Sequence, residues 1–399
     1  MEIYHEAQKL QDQLVEWYRE LHQIPETGLI LPKTSAFVKN ALDQLGLTYE
    51  EYPGHSGMTV RIRGKKNGGR TVALRADMDA LQIQEDTGLP YAAKNGNMHA
   101  CGHDSHTAML LGAAKLLKAH EEELEGTVKL IFQPAEEGPG GAEPMVRDGV
   151  VDDVDGIFAM HIGNLLNGKG KRTVDVTWGE TTAADDQVII EITGLGGHGS
   201  VPHQCVDPVV VAAQIINNLQ YIVSRETDPF DSVVITIASV EAGRGTFNVI
   251  PETATLKGTI RNAAPRTRDF VLDRIRQVAQ DTAKMMRASC TVDFVDGYPA
   301  LVNDRRMVES FLKTAGKCLP EEEINVLPHG VTGGEDAAFF FQERPGCYFV
   351  LVSSAPCPTD GKSYGAHHPR FCLDESVFWK GSGLMAQCAA DWLTEPTVP

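Results

Sequence analysis

The chain has 399 residues, a length that predicts two or three folded units at about 150 residues per domain. Hydrophobic residues make up 42% of it and charged residues 23%, a balance typical of globular proteins that excludes wholesale disorder. The formal net charge of -18, without any cluster of lysine and arginine, would repel phosphate backbones and anionic membranes. We therefore expect neither nucleic acid nor a membrane among its partners.

The sequence also indicates a compartment. Its first thirty residues contain no basic segment followed by an apolar stretch, so no secretory signal is predicted. A transmembrane span is not expected either, because no uncharged apolar run reaches about 18 residues. The 8 cysteines are scattered without a C-x-x-C pair, as is typical of buried thiols in a reducing compartment. We expect a cytoplasmic protein.

Helices and strands alternate along most of the chain. Apolar residues at helical spacing predict helices at residues 6–21, 33–45 and 105–117. Short apolar runs predict strands at residues 71–74, 128–132, 157–160 and 347–352. Strands that are apolar on both faces are typical of a parallel sheet covered by helices. The sequence therefore predicts an α/β domain with a mainly parallel sheet.

A different pattern occupies the middle of the chain. Between residues 182 and 296 the predicted order is strand, helix, strand, strand, helix, strand, with Asp207 before the first helix as its cap. This βαββαβ order is typical of a ferredoxin-like unit. We therefore predict one domain formed by residues 1–181 and 297–399, and an inserted ferredoxin-like domain formed by residues 182–296.

Reactive side chains follow the predicted strands of the parallel sheet. Asp77 and Asp79 follow the first strand, Glu136 and Glu137 follow the second, and His161 follows the third. Because open parallel sheets bind ligands at the carboxyl ends of their strands, we expect these side chains to share one crevice. Two adjacent glutamates are difficult to bury there unless a cation compensates their charge.

Two further segments extend this set. Cys101 and His103 lie between the first two strand ends, and Gly102 allows the sharp turn that would aim both at one point. His367 lies in a loop after the last apolar strand. Thiolate, imidazole and carboxylate are the ligands that zinc and similar divalent metals prefer. Five such ligands would suit a pair of metal ions.

Several motifs, in order along nearly the whole chain, carry a family resemblance. They lie at residues 74–81 (LRADMDAL), 99–106 (HACGHDSH), 132–141 (FQPAEEGPGG), 196–203 (GGHGSVPH), 248–251 (NVIP) and 367–369 (HHP). The sequence resembles the metal-dependent amidohydrolases of peptidase family M20, subfamily D. That group includes N-acyl-amino-acid amidohydrolases, hippurate hydrolases and indole-acetyl-amino-acid hydrolases.

The resemblance implies a centre of two divalent metal ions, zinc or manganese, with cobalt or nickel as alternatives. The implied metal ligands are Cys101, His103, Glu137, His161 and His367. His368 is adjacent to the last of these, and the match favours His367. The resemblance further implies that Glu136 is the general base and that Asp79 orients the site.

The resemblance implies that residues 1–181 and 297–399 form a catalytic domain and that the inserted domain, residues 182–296, is a lid domain of the dimerisation type. This inserted domain supplies the remaining implied residues. His198 would support the oxyanion, while Asn248 and Arg261 would contact the carboxylate region of the substrate. The implied reaction is hydrolysis of the amide bond of an N-acyl amino acid by metal-activated water, releasing a carboxylic acid and a free amino acid. By analogy with the family, the inserted domain could also carry a homo-oligomer interface.

Other functions remain open on the sequence. The first is a metallo-dipeptidase or carboxypeptidase with the same centre, and the second is a catalytically inactive protein that binds acyl amino acids. The third is a cysteine hydrolase with Cys101 as nucleophile, His161 as base and Asp79 as orienting group. That last alternative leaves Glu136 and His367 without a role.

Overall fold

The computed structural model describes residues 2–166 and 172–395 and contains two compact units. The first unit comprises Met1–Thr181, Val302–Gly330 and Asp336–Pro399, and the second comprises Thr182–Leu301 and Val331–Glu335. None of the described helices is long and apolar enough to span a bilayer.

The second unit therefore differs from the predicted insert, residues 182–296, by two segments. Its main segment extends to Leu301 rather than residue 296. The short segment Val331–Glu335 joins it because Val331 forms a β-bridge with Thr182 and the carbonyl of Gly333 accepts the Ala183 N–H at 3.0 Å. Both contacts join residues far apart in the chain, so no local pattern predicts them.

The regular elements have the following bounds. The strands are β1 Tyr49–Glu51, β2 Met58–Arg63, β3 Lys66–Asp77, β4 Glu125–Gln133, β5 Gly156–Ile162, β6 Val174–Thr177, β7 Glu180–Thr182, β8 Ala184–Thr193, β9 Gly197–His198, β10 Val233–Ala242, β11 Val249–Ile250, β12 Thr253–Asn262, β13 Ser289–Val295, β14 Leu301–Val302, β15 Ile324–Leu327 and β16 Gly346–Leu351. The α-helices are α1 Gln11–His22, α2 Pro32–Gln44, α3 His103–Ala119, α4 Ala142–Arg147, α5 Pro208–Tyr221, α6 Pro265–Met285, α7 Arg305–Cys318, α8 Ala338–Glu343 and α9 Phe378–Thr394.

The first unit is built on an eight-stranded sheet with the order β1-β2-β4-β3-β5-β16-β6-β15. Its four central strands, β4, β3, β5 and β16, run parallel, which confirms the predicted α/β class. Their apolar side chains are buried on both faces, as every residue of β5 and β16 shows. The carboxyl ends of these four strands consequently lie along one edge of the sheet.

The borders of this sheet are less regular than its centre. β2 pairs antiparallel with β4, β1 pairs antiparallel with β2, and β6 pairs antiparallel with β16. The helix predicted at residues 6–21 is divided in the structure into a 3₁₀ segment, Tyr4–Leu10, and the α-helix Gln11–His22. These features were not predicted because β1 and β6 are only three and four residues long and β2 carries two arginines.

Helices α3 and α9 pack closely against each other in the core of the first unit. A Cβ atom on Gly112 of α3 would lie 2.5 Å from Oγ of Ser382, and one on Gly381 of α9 would lie 2.3 Å from Sδ of Met109. The two glycines therefore permit an approach that any larger residue would prevent. This contact buries α3 almost completely and fixes its amino terminus, where His103 lies.

The second unit is a four-stranded antiparallel sheet with the order β10-β12-β8-β13 and two long helices, α5 and α6. This order confirms the predicted ferredoxin-like arrangement. Apolar residues of the helices and of one sheet face form its core. Asp207 caps α5 as predicted, because its carboxylate accepts the N–H of Val209 at 2.9 Å.

A buried cation stabilises the sheet of the first unit. The side chain of Arg75 is fully buried and donates to Asp77 at 2.8 Å, to Gln133 at 2.8 Å and to Asp336 at 3.1 Å. Removing one partner of a buried ion pair leaves an uncompensated charge in a region of low dielectric constant. Arg75 therefore holds together the ends of β3 and β4 and the segment that carries Asp336.

We predict that Arg75→Met lowers the free energy of unfolding by about 3–5 kcal/mol, because two buried carboxylates lose the guanidinium that compensates their charge. The matched control is Arg61→Met, which breaks an exposed pair with Asp153 and should cost at most about 1 kcal/mol. Urea unfolding monitored by circular dichroism measures both values. Equal losses in the two variants would contradict the prediction.

Candidate metal centre

The candidate site lies at the carboxyl ends of the central strands of the first unit. Asp77 ends β3, Gln133 ends β4, and His161 is the penultimate residue of β5. Glu136 and Glu137 follow β4 after Ala135, whose φ of +59° turns the chain sharply. The strand ends thus bring together the acidic and imidazole groups that the sequence pattern predicted for this edge.

A tight turn aims the side chains of Cys101 and His103 at this edge. Gly102 between them has a φ of +88°, and a Cβ atom there would lie 2.8 Å from Cγ2 of Ile162. Glycine is therefore required at this position for both conformational and steric reasons. Sγ of Cys101 lies 3.4 Å from Nε2 of His161, although 60 residues separate them in the chain.

Two groups of three side chains meet around Cys101. The ligand atoms of Cys101, His103 and His161 all lie within 4.8 Å of one another, and so do those of Cys101, Glu137 and His367. A further group joins His103 and Glu137 to Glu136. These are the five residues predicted as ligands, with the predicted base beside them. His368 is directed elsewhere, since its ring stacks on Tyr364 and its Nδ1 accepts the Arg370 N–H.

The chemistry of these groups fits divalent metal ions. Among the described residues, Nε2 of His103 and Oε1 of Glu137 are buried without a hydrogen-bond partner. Nε2 of His367 lies 3.0 Å from the same oxygen, but not in hydrogen-bonding geometry. Buried polar atoms are rarely left unsatisfied in this way. The convergence of these ligand atoms suits a cation.

The pKa of the Cys101 thiol also indicates a cation site. Burial and the nearby charge of Glu137 both raise the pKa of Cys101 well above its usual range, so the protein alone does not stabilise a thiolate there. A coordinating metal ion deprotonates a thiol outright. The pKa of the neighbouring Glu137 is instead lowered, against the effect of its burial, by His367 and His103, so the thiol is the group whose negative form requires a metal cation.

Asp79 and a backbone carbonyl orient the groups around the site. The two oxygens of Asp79 accept the N–H groups of Glu136 and Glu137 at 2.9 and 3.0 Å, and Oδ1 lies 3.3 Å from Nδ1 of His103. Nδ1 of His161 donates to the carbonyl of Ile162 at 2.7 Å, so its Nε2 carries the lone pair that faces Sγ of Cys101. These contacts agree with the orienting role predicted for Asp79.

The sequence interpretation assigned no role to His106, a buried residue of α3. Its Nδ1 lies 2.5 Å from Asp77, and its Nε2 accepts the N–H of Ile162 at 2.8 Å. A backbone N–H can only donate, so Nδ1 carries the proton that Asp77 accepts. The ring centroid of His106 lies 4.5 Å from that of His161. Its place in the HACGHDSH motif was the available signal.

The remaining predicted residues belong to the second unit. His198 lies on β9 opposite Val249 of β11, and the carbonyl of Asn248 accepts the Gly199 N–H at 2.8 Å. Arg261 lies on β12, and its Nη1 is 2.8 Å from a carboxylate oxygen of Asp185. The second unit therefore places His198 beside Asn248 on a two-stranded ribbon, and Arg261 on the main sheet.

An α/β sheet with thiol, imidazole and carboxylate groups converging at its strand ends is the arrangement expected of a metal-dependent hydrolase. The sequence model described as peptidase family M20/M25/M40 matches residues 73–391. The chain belongs to this family and is a hydrolytic enzyme.

Similar proteins include enzymes that act on amino-acid conjugates. IAA-amino acid hydrolase ILR1-like 4 of Arabidopsis thaliana is 40% identical over 96% of this chain and 86% of its own length. N-acetyl-L-cysteine deacetylase of Bacillus subtilis is 37% identical over 95% of this chain and 88% of its own. A solved structure, the Bacillus subtilis YxeP protein, described as a dinuclear metal-binding peptidase of family M20, is 32% identical with a TM-score of 0.82 and covers 96% of this chain and 99% of that one.

We predict that Asp79→Ala lowers metal affinity by about 10- to 100-fold, because the imidazole of His103 and the chain at Glu137 lose their orientation. Competition with a chromophoric chelator measures the affinity. The matched control is Asp155→Ala, which also removes a carboxylate that accepts a backbone N–H, that of Thr71, but lies away from the site. Unchanged affinity in Asp79→Ala would contradict the orienting role.

Proposed function

We propose that the protein hydrolyses the amide bond of N-acyl amino acids, releasing a carboxylic acid and a free amino acid. The observation that carries the proposal is the pair of candidate ligand groups that share Cys101, with Glu136 at their side. The relatives named as hydrolases of amino-acid conjugates and as a deacetylase support the substrate class.

The proposed cofactors are two divalent metal ions. Their ligands would be Cys101, His103, Glu137, His161 and His367. Such ions supply Lewis-acid chemistry, which polarises a carbonyl group and lowers the pKa of a bound water to about 7. The thiolate and imidazoles favour zinc and the carboxylate also suits manganese, with cobalt or nickel as alternatives.

Glu136 is the proposed general base. Its side chain is buried, one oxygen lies 3.9 Å from Nε2 of His103, and its backbone N–H is held by Asp79. In this role the carboxylate accepts a proton from the attacking water and delivers it to the nitrogen of the leaving amino acid. Fixing the main chain at Asp79 limits the positions that this carboxylate can reach.

His198 is the proposed donor to the developing oxyanion, and its hydrogen bonds support that role. The N–H of Ser200 donates to Nδ1 of His198 at 3.1 Å, and the Ser200 hydroxyl lies 2.8 Å from the same nitrogen. Because Nδ1 is an acceptor, the proton of the neutral ring is on Nε2. An oxyanion requires a donor, and one such donor typically contributes about 2.7–4 kcal/mol. Asn248 and Arg261 are the proposed contacts to the carboxylate region of the substrate.

The test of this function is a substrate panel. Purified enzyme loaded with Zn²⁺ or Mn²⁺ is assayed for released amine on N-acetyl, N-benzoyl and N-indole-acetyl amino acids and on unblocked dipeptides. The proposal expects the acylated compounds to be hydrolysed faster. Faster cleavage of dipeptides would instead support a carboxypeptidase or dipeptidase, the activity to which the 37% identity with thermostable carboxypeptidase 1 of Saccharolobus solfataricus points.

We predict that Glu136→Gln retains metal but lowers kcat by about 10²- to 10⁴-fold, because the amide cannot accept the proton. Elemental analysis and steady-state kinetics measure the two quantities separately. Glu143→Gln, an exposed glutamate in the first turn of α4, is the matched control and should leave both unchanged. Turnover close to wild type would remove Glu136 from the role of base.

The finer assignments of partner and compartment are also proposals. Strand β10 is an edge of its sheet and exposes Val234 and Val240, which supports a homo-oligomer interface on the second unit. Light scattering of wild type and Val240→Lys tests it, since a monomeric wild type would contradict it. All eight cysteines are free thiols, which supports a cytoplasmic location.

A further inference from the structure

The guanidinium of Arg261 is held by only one of its nitrogens. Nη1 lies 2.8 Å from Oδ1 of Asp185, donates to the carbonyl of Ile260 at 3.1 Å, and also donates to the hydroxyl of Thr259. Nε and Nη2 have no hydrogen-bond partner in the parts of the chain that the structure describes, residues 2–166 and 172–395. The Arg261 guanidinium is therefore held through Nη1, and the edge formed by its Nε and Nη2 groups is available to a ligand.

The Nε–Nη2 edge of Arg261 matches one kind of chemical group, a carboxylate. The N–H groups of Nε and Nη2 point in parallel and match the two oxygens of a carboxylate. The side chain is 24% exposed, so a small molecule can reach it. A lysine at this position would offer a point charge without this geometry. The edge is thus suited to a free carboxylate, as found in an N-acyl amino acid.

Asp185 is a rigid anchor for the guanidinium. It lies directly opposite Arg261 in the antiparallel pairing of β8 with β12. Its N–H donates to the carbonyl of Tyr298 at 2.9 Å, and a Cβ atom on Gly297 would lie 1.4 Å from the Asp185 carbonyl oxygen, so the backbone is tightly enclosed. The neighbouring Asp186 has a different role, since it is buried and paired with Arg268.

We propose that Asp185 is a positioning residue that presents the Nε–Nη2 edge of Arg261 to the α-carboxylate of the substrate. The inference rests on the proposed function and adds a residue that determines selectivity for substrates with a free carboxylate. An arginine held in place before binding loses less conformational freedom when the ligand arrives. Asp185 supplies this order without contacting the substrate itself.

The test measures binding instead of turnover. Glu136→Gln holoenzyme, loaded with Zn²⁺, is titrated calorimetrically with an N-acetyl amino acid and with its methyl ester, in which the carboxylate is masked. Adding Asp185→Ala should weaken binding of the acid by about fivefold to tenfold and leave the ester nearly unchanged. Asp185→Glu should restore part of the preference, because it keeps a carboxylate opposite Arg261. Asp293→Ala, on an exposed position of the same sheet, is the matched control.

A double-mutant cycle separates positioning from general damage. If Asp185 acts through Arg261, combining Asp185→Ala with Arg261→Ala should cost no more than Arg261→Ala alone. Tighter binding of the acid in Asp185→Ala would mean that Asp185 competes with the substrate, and unchanged binding would mean that it has no role. Either result overturns the proposal.

The same experiment distinguishes this inference from the proposed function. If the parent enzyme prefers the acid and Arg261→Ala removes the preference while Asp185→Ala does not, only the positioning role is wrong. If the parent shows no preference for the acid over the ester, the contact of Arg261 with the substrate carboxylate is wrong, and the role of Asp185 with it.

Discussion

The thiol of Cys101 lies buried within reach of the half-buried carboxylate of Glu137, where its thiolate is not stable without a cation. Burial raises the pKa of the thiol, and the carboxylate raises it further. Evolution could have removed this conflict with apolar residues, as replacement of buried charges often stabilises a fold. The two acids are instead surrounded by the imidazoles of His103, His161 and His367. Together these groups form a candidate metal centre.

Such a centre works only if the fold fixes its members before the metal arrives. The parallel strands deliver His161 and the two glutamates to one edge, and the close packing of α3 on α9 fixes the turn that carries Cys101 and His103. Asp79 then joins two of these segments, because a single carboxylate accepts two backbone N–H groups and lies beside an imidazole. The geometry of the ligands is therefore a consequence of the sheet and of one buried side chain.

Much of this arrangement was predictable from the sequence, because long apolar strands and the residues that follow them are local signals. The strand-end rule and the family resemblance together identified the five candidate ligands and Glu136. The antiparallel borders of the sheet were not predictable, since β1 and β6 are too short to show periodicity. His106 and Asp185 contact partners 29 and 76 residues away; the motif around His106 was a local signal, whereas the residues near Asp185 gave none.

Because the chain has a strongly negative net charge, recognition of an anionic substrate by the second unit would depend on hydrogen-bond donors that contact the substrate directly. A net charge of -18 disfavours the approach of an anionic substrate, but salt confines that repulsion to about 8 Å at physiological ionic strength. Selectivity for a carboxylate must then come from groups that touch it. A point charge would be satisfied equally by any anion, whereas the two parallel donors of Arg261 match a planar carboxylate. In its proposed role, Asp185 holds the opposite corner of the guanidinium and leaves the Nε–Nη2 edge to the substrate.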